Sequence, residues 1–107
     1  MLTGYAYARV STKDQEIKGN SIPEQFFRIK DFCRHKNIKI VAEYFDSDSA
    51  YKDDNREKFN TMIFDAIKQK PDFIVIDESS RFARTRIKSI ETKDILRKHG
   101  INIMFVN

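Results

Sequence analysis

The sequence of 107 residues contains one cysteine, two prolines, three glycines and no tryptophan. The lone cysteine, Cys33, excludes an internal disulfide, and its apolar surroundings indicate a small core residue. Scarce glycine and proline, with apolar residues recurring along the whole chain, argue against disorder. The chain shows no leader and no apolar run long enough to span a membrane. These absences predict a soluble, folded, cytoplasmic protein.

The composition is that of one small domain with a slight excess of positive charge. Hydrophobic residues make up 40% of the chain, including nine Phe and four Tyr, which is enough for a real core. Lys and Arg number 20 against 16 Asp and Glu, a formal net charge of +4. This excess favours an anionic partner, of which a nucleic-acid backbone is the commonest.

Four apolar, β-rich segments alternate with three segments of helical periodicity. The strands are predicted at residues 5–10, 38–45, 73–76 and 101–106. The helices are predicted from the capping box at residues 21–24, from about 55 to 68, and from roughly 85 to 98, with Gly100 as a left-handed cap. The alternation predicts a three-layer α/β domain, with a central, mainly parallel sheet of about four strands flanked by helices.

Ligands of such sheets bind at the carboxyl ends of the strands. Three predicted loops meet there: residues 11–20, 46–55 and 77–84. They bring Ser11 near four arginines, which are Arg9, Arg56, Arg81 and Arg84. Guanidinium groups hold phosphate oxygens in a bidentate fork and keep their charge. The set favours phosphoryl transfer by a serine oxygen, with each arginine stabilising the developing charge by about 3–4 kcal/mol.

Taken singly, these residues also fit ordinary structural roles. Ser11 after a strand is typical of a turn or helix cap, and Arg81 and Arg84 suit the exposed start of a helix. The sequence contains no motif with metal-ligand spacing, so we expect no metal site. Only a pattern that requires all these residues together favours the chemical interpretation.

Four segments supply such a pattern: YARVST at 7–12 with Gln15, SIPEQ at 21–25, DNREKF at 54–59 and SRFAR at 80–84. In this order they resemble motifs of the serine recombinases, the resolvase/invertase superfamily: Y-x-R-V-S-T-x-x-Q, S-L-x-x-Q, R-P-x-F and D-R-L-x-R. The match extends over nearly the whole chain. A resolvase-like catalytic domain is the fold that this resemblance implies.

The resemblance also implies a function, site-specific DNA recombination, and a role for each matching residue. Ser11 would be the nucleophile; Arg9, Arg56, Arg81 and Arg84 would bind the scissile phosphate; Gln15, Gln25 and Ser80 would be supporting polar groups. The serine would form a 5′-phosphoserine link to double-stranded DNA without a cofactor, within a dimer and then a synaptic tetramer. The implied setting is a bacterial nucleoid, with a gene carried by a mobile element or phage.

Residues 1–107 would be the catalytic domain alone, ending before the long dimerisation helix and the DNA-binding region of the family. We therefore expect the isolated chain to be inactive in recombination. Ser80 stands where the small resolvases have Asp, and residues 16–20 lengthen the spacer between the first two motifs. Both departures resemble the large serine recombinases of transposon and phage type.

Two other functions remain open from the sequence. One is a flavodoxin-like or receiver-like signalling module with Asp46 and Asp77 as an acidic site, although Arg9 and Ser11 stand where such a module carries an acidic pair. The other is a DNA or RNA binder of the same fold without catalytic activity. A covalent protein–DNA adduct would separate a recombinase from such a binder, and failure to bind Mg²⁺ or to react with a small phosphodonor would discount the signalling module.

Overall fold

A sheet of four parallel strands in the order β2-β1-β3-β4 forms the centre of the fold in the computed structural model. The structure describes residues 1–11, 18–48, 56–82 and 86–107, without the side chains of residues 48, 86 and 87. The strands are β1 (Leu2–Ser11), β2 (Ile38–Asp48), β3 (Phe73–Ile76) and β4 (Asn102–Phe105). The helices are α1 (Ile22–His35), α2 (Glu57–Gln69) and α3 (Arg86–Lys98), and a 3₁₀ turn spans Ser79–Arg81.

The helices cover the sheet on both faces, which confirms the predicted three-layer α/β architecture. On one face, Ile29 and Cys33 of α1 pack with Ala6 and Val75 of the sheet. Burial raises the pKa of the Cys33 thiol to about 11, as expected for a core cysteine.

The opposite face packs against α2 and α3. Tyr5 and Tyr7 of β1 share this second core with Met62 of α2 and Leu96 of α3. Because side chains alternate along a strand, Arg9 and Ser11 belong to the same face of β1 as the two tyrosines.

Among the described residues, no helix is both long and apolar enough to cross a membrane.

The first two strands are longer than their apolar patterns predicted. Leu2 pairs with Ile38 at one end of the β1–β2 ladder, and Ser11 pairs with Asp48 at the other. The placement of Ser11 and of residues 46–48 in loops was therefore wrong, because both segments are strand. Backbone pairing continues here past the last apolar residue, since a ladder needs only N–H and C=O groups.

The other boundaries agree to within two residues. The fourth strand comprises Asn102–Phe105 instead of residues 101–106. The second helix begins at Glu57, with Arg56 as its N-cap, where residue 55 was predicted. Residues 55 and 85, the predicted helix starts, lie outside the described part of the chain.

The predicted capping box sets the start of α1. The Ser21 hydroxyl accepts a hydrogen bond from the Glu24 amide at 3.3 Å and donates one to its carboxylate at 2.8 Å. The bond from Ser21 is the main cause of the lowered pKa of Glu24. The helix therefore begins at the position that the sequence motif predicted, and the residues that face β1 follow later in the helix.

Gly100 ends α3 in a left-handed conformation, with φ of 77°. Replacing it with alanine should lower the free energy of unfolding by about 1 kcal/mol, because a Cβ atom is unfavourable at this φ. Urea denaturation of the chain measures the change. Lys70 provides the matched control, since it ends α2 with φ of 51°. Lys70→Gly should leave stability unchanged or raise it, and a loss in both variants would contradict the conformational cause.

Candidate active site

Three of the predicted site arginines converge on the 3₁₀ turn that follows β3. The Arg9 Nη2 atom donates a hydrogen bond to the carbonyl oxygen of Ser80 at 3.1 Å. The Arg56 Nη2 atom donates one to the carbonyl oxygen of Arg81 at 3.3 Å. Arg9 and Arg81 are only 8% and 5% exposed. Side chains from β1 and from the start of α2 thus meet the turn that carries the third arginine.

Ser11 lies at the carboxyl end of β1, two residues after Arg9 and on the same face of the strand. It is partly exposed, whereas Arg9 is buried. The arrangement places a partly exposed serine two residues beyond a buried arginine of the cluster. Gln15 and Arg84, which the sequence assigned to the same site, lie outside the described residues, so their roles stay predictions.

Gln25 holds the backbone of Arg9 from the opposite side of the sheet. Its fully buried side chain accepts a hydrogen bond from the Arg9 amide at 3.3 Å and donates one to the Arg9 carbonyl at 3.0 Å. The Nε2 atom of Gln25 also donates a hydrogen bond to the carbonyl oxygen of Asn20 at 2.8 Å. The contacts of Gln25 therefore connect α1 to the strand position that carries the buried arginine.

The described contacts of Ser80 with the cluster run through its backbone. Its exposed hydroxyl donates a hydrogen bond to the Glu78 carboxylate at 2.7 Å, while its carbonyl oxygen accepts from Arg9. The same Glu78 carboxylate lies 3.6 Å from the Arg81 guanidinium. The supporting role predicted for the Ser80 side chain remains a prediction.

Arg56 is held against aromatic rings at the amino end of α2. Its guanidinium carbon lies 3.7 Å from the ring centre of Phe59 and 5.9 Å from that of Tyr7. Burial is the main cause of the lowered pKa of Arg56, and the nearby Arg9 cation lowers it further. Its buried Nε atom has no hydrogen-bond acceptor among the described residues. An anion reaching this nitrogen would satisfy a donor that the described part of the chain leaves open.

Asp46 is a buried residue whose role the sequence did not predict. Its carboxylate accepts hydrogen bonds from the amides of Lys58 and Phe59, at 2.9 and 3.0 Å, and from the Tyr7 hydroxyl at 2.7 Å. It thereby caps α2 from the neighbouring strand β2. Burial and the bond to Asp46 raise the pKa of Tyr7, so the phenol remains a donor at neutral pH.

The acidic-site alternative depended on Asp46 and Asp77, and both carboxylates have internal partners. Asp46 accepts a hydrogen bond from the first turn of α2. Asp77 accepts hydrogen bonds from Nε and Nη2 of Arg28, both at 2.8 Å. No cluster of three or more potential metal ligands occurs among residues 1–11, 18–48, 56–82 and 86–107. The described part of the site therefore contains three arginines and Ser11, while both carboxylates are engaged by other groups of the fold.

Fold and site together define a resolvase-like domain with a serine beside clustered arginines. The family model "Resolvase, N terminal domain" matches residues 4–107, and the chain belongs to this family of DNA recombinase domains. A "Putative DNA recombinase" of Bacillus subtilis (strain 168) is 32% identical over 101 residues. That match covers 94% of this chain but 20% of the relative, so the chain spans one fifth of the length of that protein.

Solved structures share the fold. A resolvase family site-specific recombinase from Streptococcus pneumoniae superposes with a TM-score of 0.81 at 31% identity, covering 99% of this chain and 72% of the other. The N-terminal catalytic domain of TP901-1 integrase gives a TM-score of 0.81 at 23% identity, covering 98% and 77%. The resemblance to the serine recombinases inferred from the motifs is confirmed, and so is the fold.

Proposed function

We propose that this domain cleaves and rejoins double-stranded DNA during site-specific recombination, with Ser11 as the nucleophile. The observation that carries the proposal is that Arg9 and Arg56 both donate hydrogen bonds to the same 3₁₀ turn. Ser11 lies at the end of β1, two residues after Arg9. A phosphodiester at that position would meet a hydroxyl and several guanidinium groups at once. Family membership and the relatives named as recombinases support DNA as the substrate.

In the proposed step the Ser11 oxygen loses its proton and attacks a backbone phosphorus atom. The bond from phosphorus to the 3′ oxygen breaks, the released 3′ oxygen takes up a proton, and the 5′ phosphate stays on the serine. One phosphoester replaces another, so no external energy source is needed. Attack by a 3′ hydroxyl on the phosphoserine reverses the step and joins exchanged strands.

The arginines would stabilise the negative charge that grows on the non-bridging oxygens during this step. Arg9, Arg56 and Arg81 come from three segments of the chain, and part-buried hydrogen bonds hold Arg9 and Arg56 to the turn that carries Arg81. Preorganised donors of this kind contribute about 3–4 kcal/mol each to barrier lowering. Arg84, the fourth arginine of the motifs, is proposed for the same phosphate.

We propose that residues 1–107 carry out catalysis and that other parts of the full-length protein recognise the target. Sequence recognition requires contacts with base edges, usually from an element inserted into a groove. The functional unit is proposed to be a dimer that assembles into a synaptic tetramer, as the resemblance implies. A non-catalytic nucleic-acid binder of the same fold is the second candidate, which the following experiment tests.

The full-length protein should form a covalent adduct with DNA on a pool of nicked duplexes of varied sequence. A nick beside the cleavage point lets a short product diffuse away and traps the phosphoserine. Denaturing gels detect the adduct, and peptide mapping should locate it on Ser11. Adduct yield should be equal in EDTA and in Mg²⁺, because arginines supply the positive charge. Mapping to Ser80, or cleavage that requires Mg²⁺, would contradict the mechanism; no adduct in either buffer would favour the non-catalytic binder.

A further inference from the structure

Asp77 lies directly after β3 and anchors the segment that continues into the 3₁₀ turn. It is 3% exposed, and its two carboxylate oxygens accept hydrogen bonds from Nε and Nη2 of Arg28, both at 2.8 Å. Asn107 adds a side-chain bond to the carboxylate at 3.2 Å and a backbone bond to the Asp77 carbonyl at 2.9 Å. A bidentate arginine–carboxylate pair fixes both distance and orientation.

Arg28 stands three residues after Gln25 on α1, so the two side chains leave the same side of the helix. Gln25 bonds to the backbone of Arg9 on β1, as described above. Arg28 bonds to the first residue after β3. One face of α1 therefore holds both the strand position that carries Arg9 and the residue after β3 that leads into the 3₁₀ turn.

The turn held in this way is the platform for two guanidinium groups. Ser80 and Arg81, three and four residues after Asp77, provide the carbonyl oxygens that Arg9 and Arg56 bind. The turn is closed by bonds from the Arg81 and Phe82 amides to the carbonyls of Glu78 and Ser79, at 3.1 and 3.0 Å. A displacement of the segment at Asp77 would move both carbonyl acceptors together with Arg81.

We infer that Arg28 and Asp77 form a positioning pair, which fixes the turn Ser79–Arg81 and through it the orientation of the arginine cluster. Neither residue belongs to the motifs that carried the family resemblance. The pair acts through the turn and does not contact the phosphate itself. Its role in catalysis rests on the strand cleavage proposed above, whereas its effect on the turn does not.

The ion pair is suited to this task because its acidic partner is almost completely buried. The side chain of Asp77 is 4% exposed and that of Arg28 is 32% exposed. Removal of Arg28 would leave a buried carboxylate without its main partner, which is strongly unfavourable. The bond to Asp77 is also the first cause of the raised pKa of Arg28. The Arg28 guanidinium therefore stays charged at neutral pH.

Amide hydrogen exchange in the 107-residue chain tests the positioning. In Arg28→Gln and Asp77→Asn, the amides of Arg81 and Phe82 should exchange about tenfold faster, as local opening of the turn becomes easier. Amides within α2 and the centre of β1 should keep their rates. Arg34→Gln is the matched control, because Arg34 pairs with Asp31 on an exposed side of the same helix.

Arg28→Lys guards against a simple folding defect. It keeps the charge but replaces the two-pronged fork with single donors, so its exchange rates should lie between those of the unaltered chain and Arg28→Gln. Unchanged exchange at Arg81 and Phe82 in all pair variants would overturn the inference. Equal acceleration throughout the chain would overturn it as well, because it would indicate a general loss of stability.

Single-turnover cleavage by the full-length protein tests the consequence for catalysis. Arg28→Gln should slow adduct formation about tenfold or more with DNA affinity nearly unchanged, since misplaced donors weaken the transition state more than binding. Arg28→Lys should recover part of the rate, and Arg34→Gln should retain all of it. Equal rates in Arg28→Gln and the unaltered protein would overturn the catalytic role. If the unaltered protein forms no adduct, the proposed function fails, and amide exchange alone decides whether the pair positions the turn.

Discussion

Replacement of Ser11 by alanine is expected to lower adduct formation by the full-length protein by at least about 10⁴-fold, because the reaction loses the atom that forms the covalent bond. DNA affinity should change by less than about threefold, since affinity comes mainly from cations that bind phosphates. Ser11 is partly exposed at the end of β1, and the substitution removes one oxygen atom without opening the core. Denaturing gels measure the adduct, and gel shifts at fixed salt measure affinity.

Ser79→Ala is the control for this substitution. Ser79 is exposed at the start of the 3₁₀ turn, and its carbonyl oxygen, which accepts from the Phe82 amide, is retained in alanine. The control should cleave like the unaltered protein. Full cleavage by Ser11→Ala would assign the nucleophile to another residue.

Replacement of Asp46 by alanine should lower the free energy of unfolding by about 3–5 kcal/mol, because removing a buried charged acceptor leaves its donors unsatisfied. Those donors are the Tyr7 hydroxyl, inside the core, and the amides of Lys58 and Phe59. Loss of the cap should also destabilise the first turn of α2, next to the N-cap residue Arg56. Urea denaturation at neutral pH measures the effect on stability.

Asp65→Ala is the matched control, because Asp65 also accepts a hydrogen bond from a tyrosine, Tyr44, at 2.7 Å. That pair is only partly buried, and Asp65 lies within α2, so no helix cap is lost with it. Its removal should cost about 1 kcal/mol or less. Equal losses in the two variants would show that capping and burial of Asp46 contribute nothing beyond an ordinary tyrosine–aspartate bond.

The linear pattern was sufficient for the fold because its determinants are local. Alternating strand and helix periodicities predicted the layers, and the Ser21 capping box and Gly100 marked two helix ends where they occur. The carboxyl ends of β1 and β2 were missed because Ser11 and residues 46–48 are polar or charged. Backbone pairing with the neighbouring strand, which residue type does not reveal, extends both strands.

The candidate site was predictable to a smaller extent. The motifs selected Arg9, Arg56 and Arg81, and the structure brings these three to one turn. The acceptors that hold them are carbonyl oxygens, which every residue carries, so no sequence pattern could have identified Ser80 and Arg81 as their partners. Gln25 was selected from its motif, but its bonds to the backbone of Arg9 were not predicted.

The sequence by itself determined the family, the order of the elements and the candidate nucleophile, because these follow from residue identity and from spacing within one element. Only the tertiary structure decided that Asp46 caps α2 from β2 and that Arg28 holds Asp77 across 49 residues. Such contacts join elements that are distant in sequence, and their geometry follows from the way helices pack on the sheet. A buried charged group is stable only when it is paired or hydrogen-bonded. The fold determines which of the available partners lies within hydrogen-bonding distance.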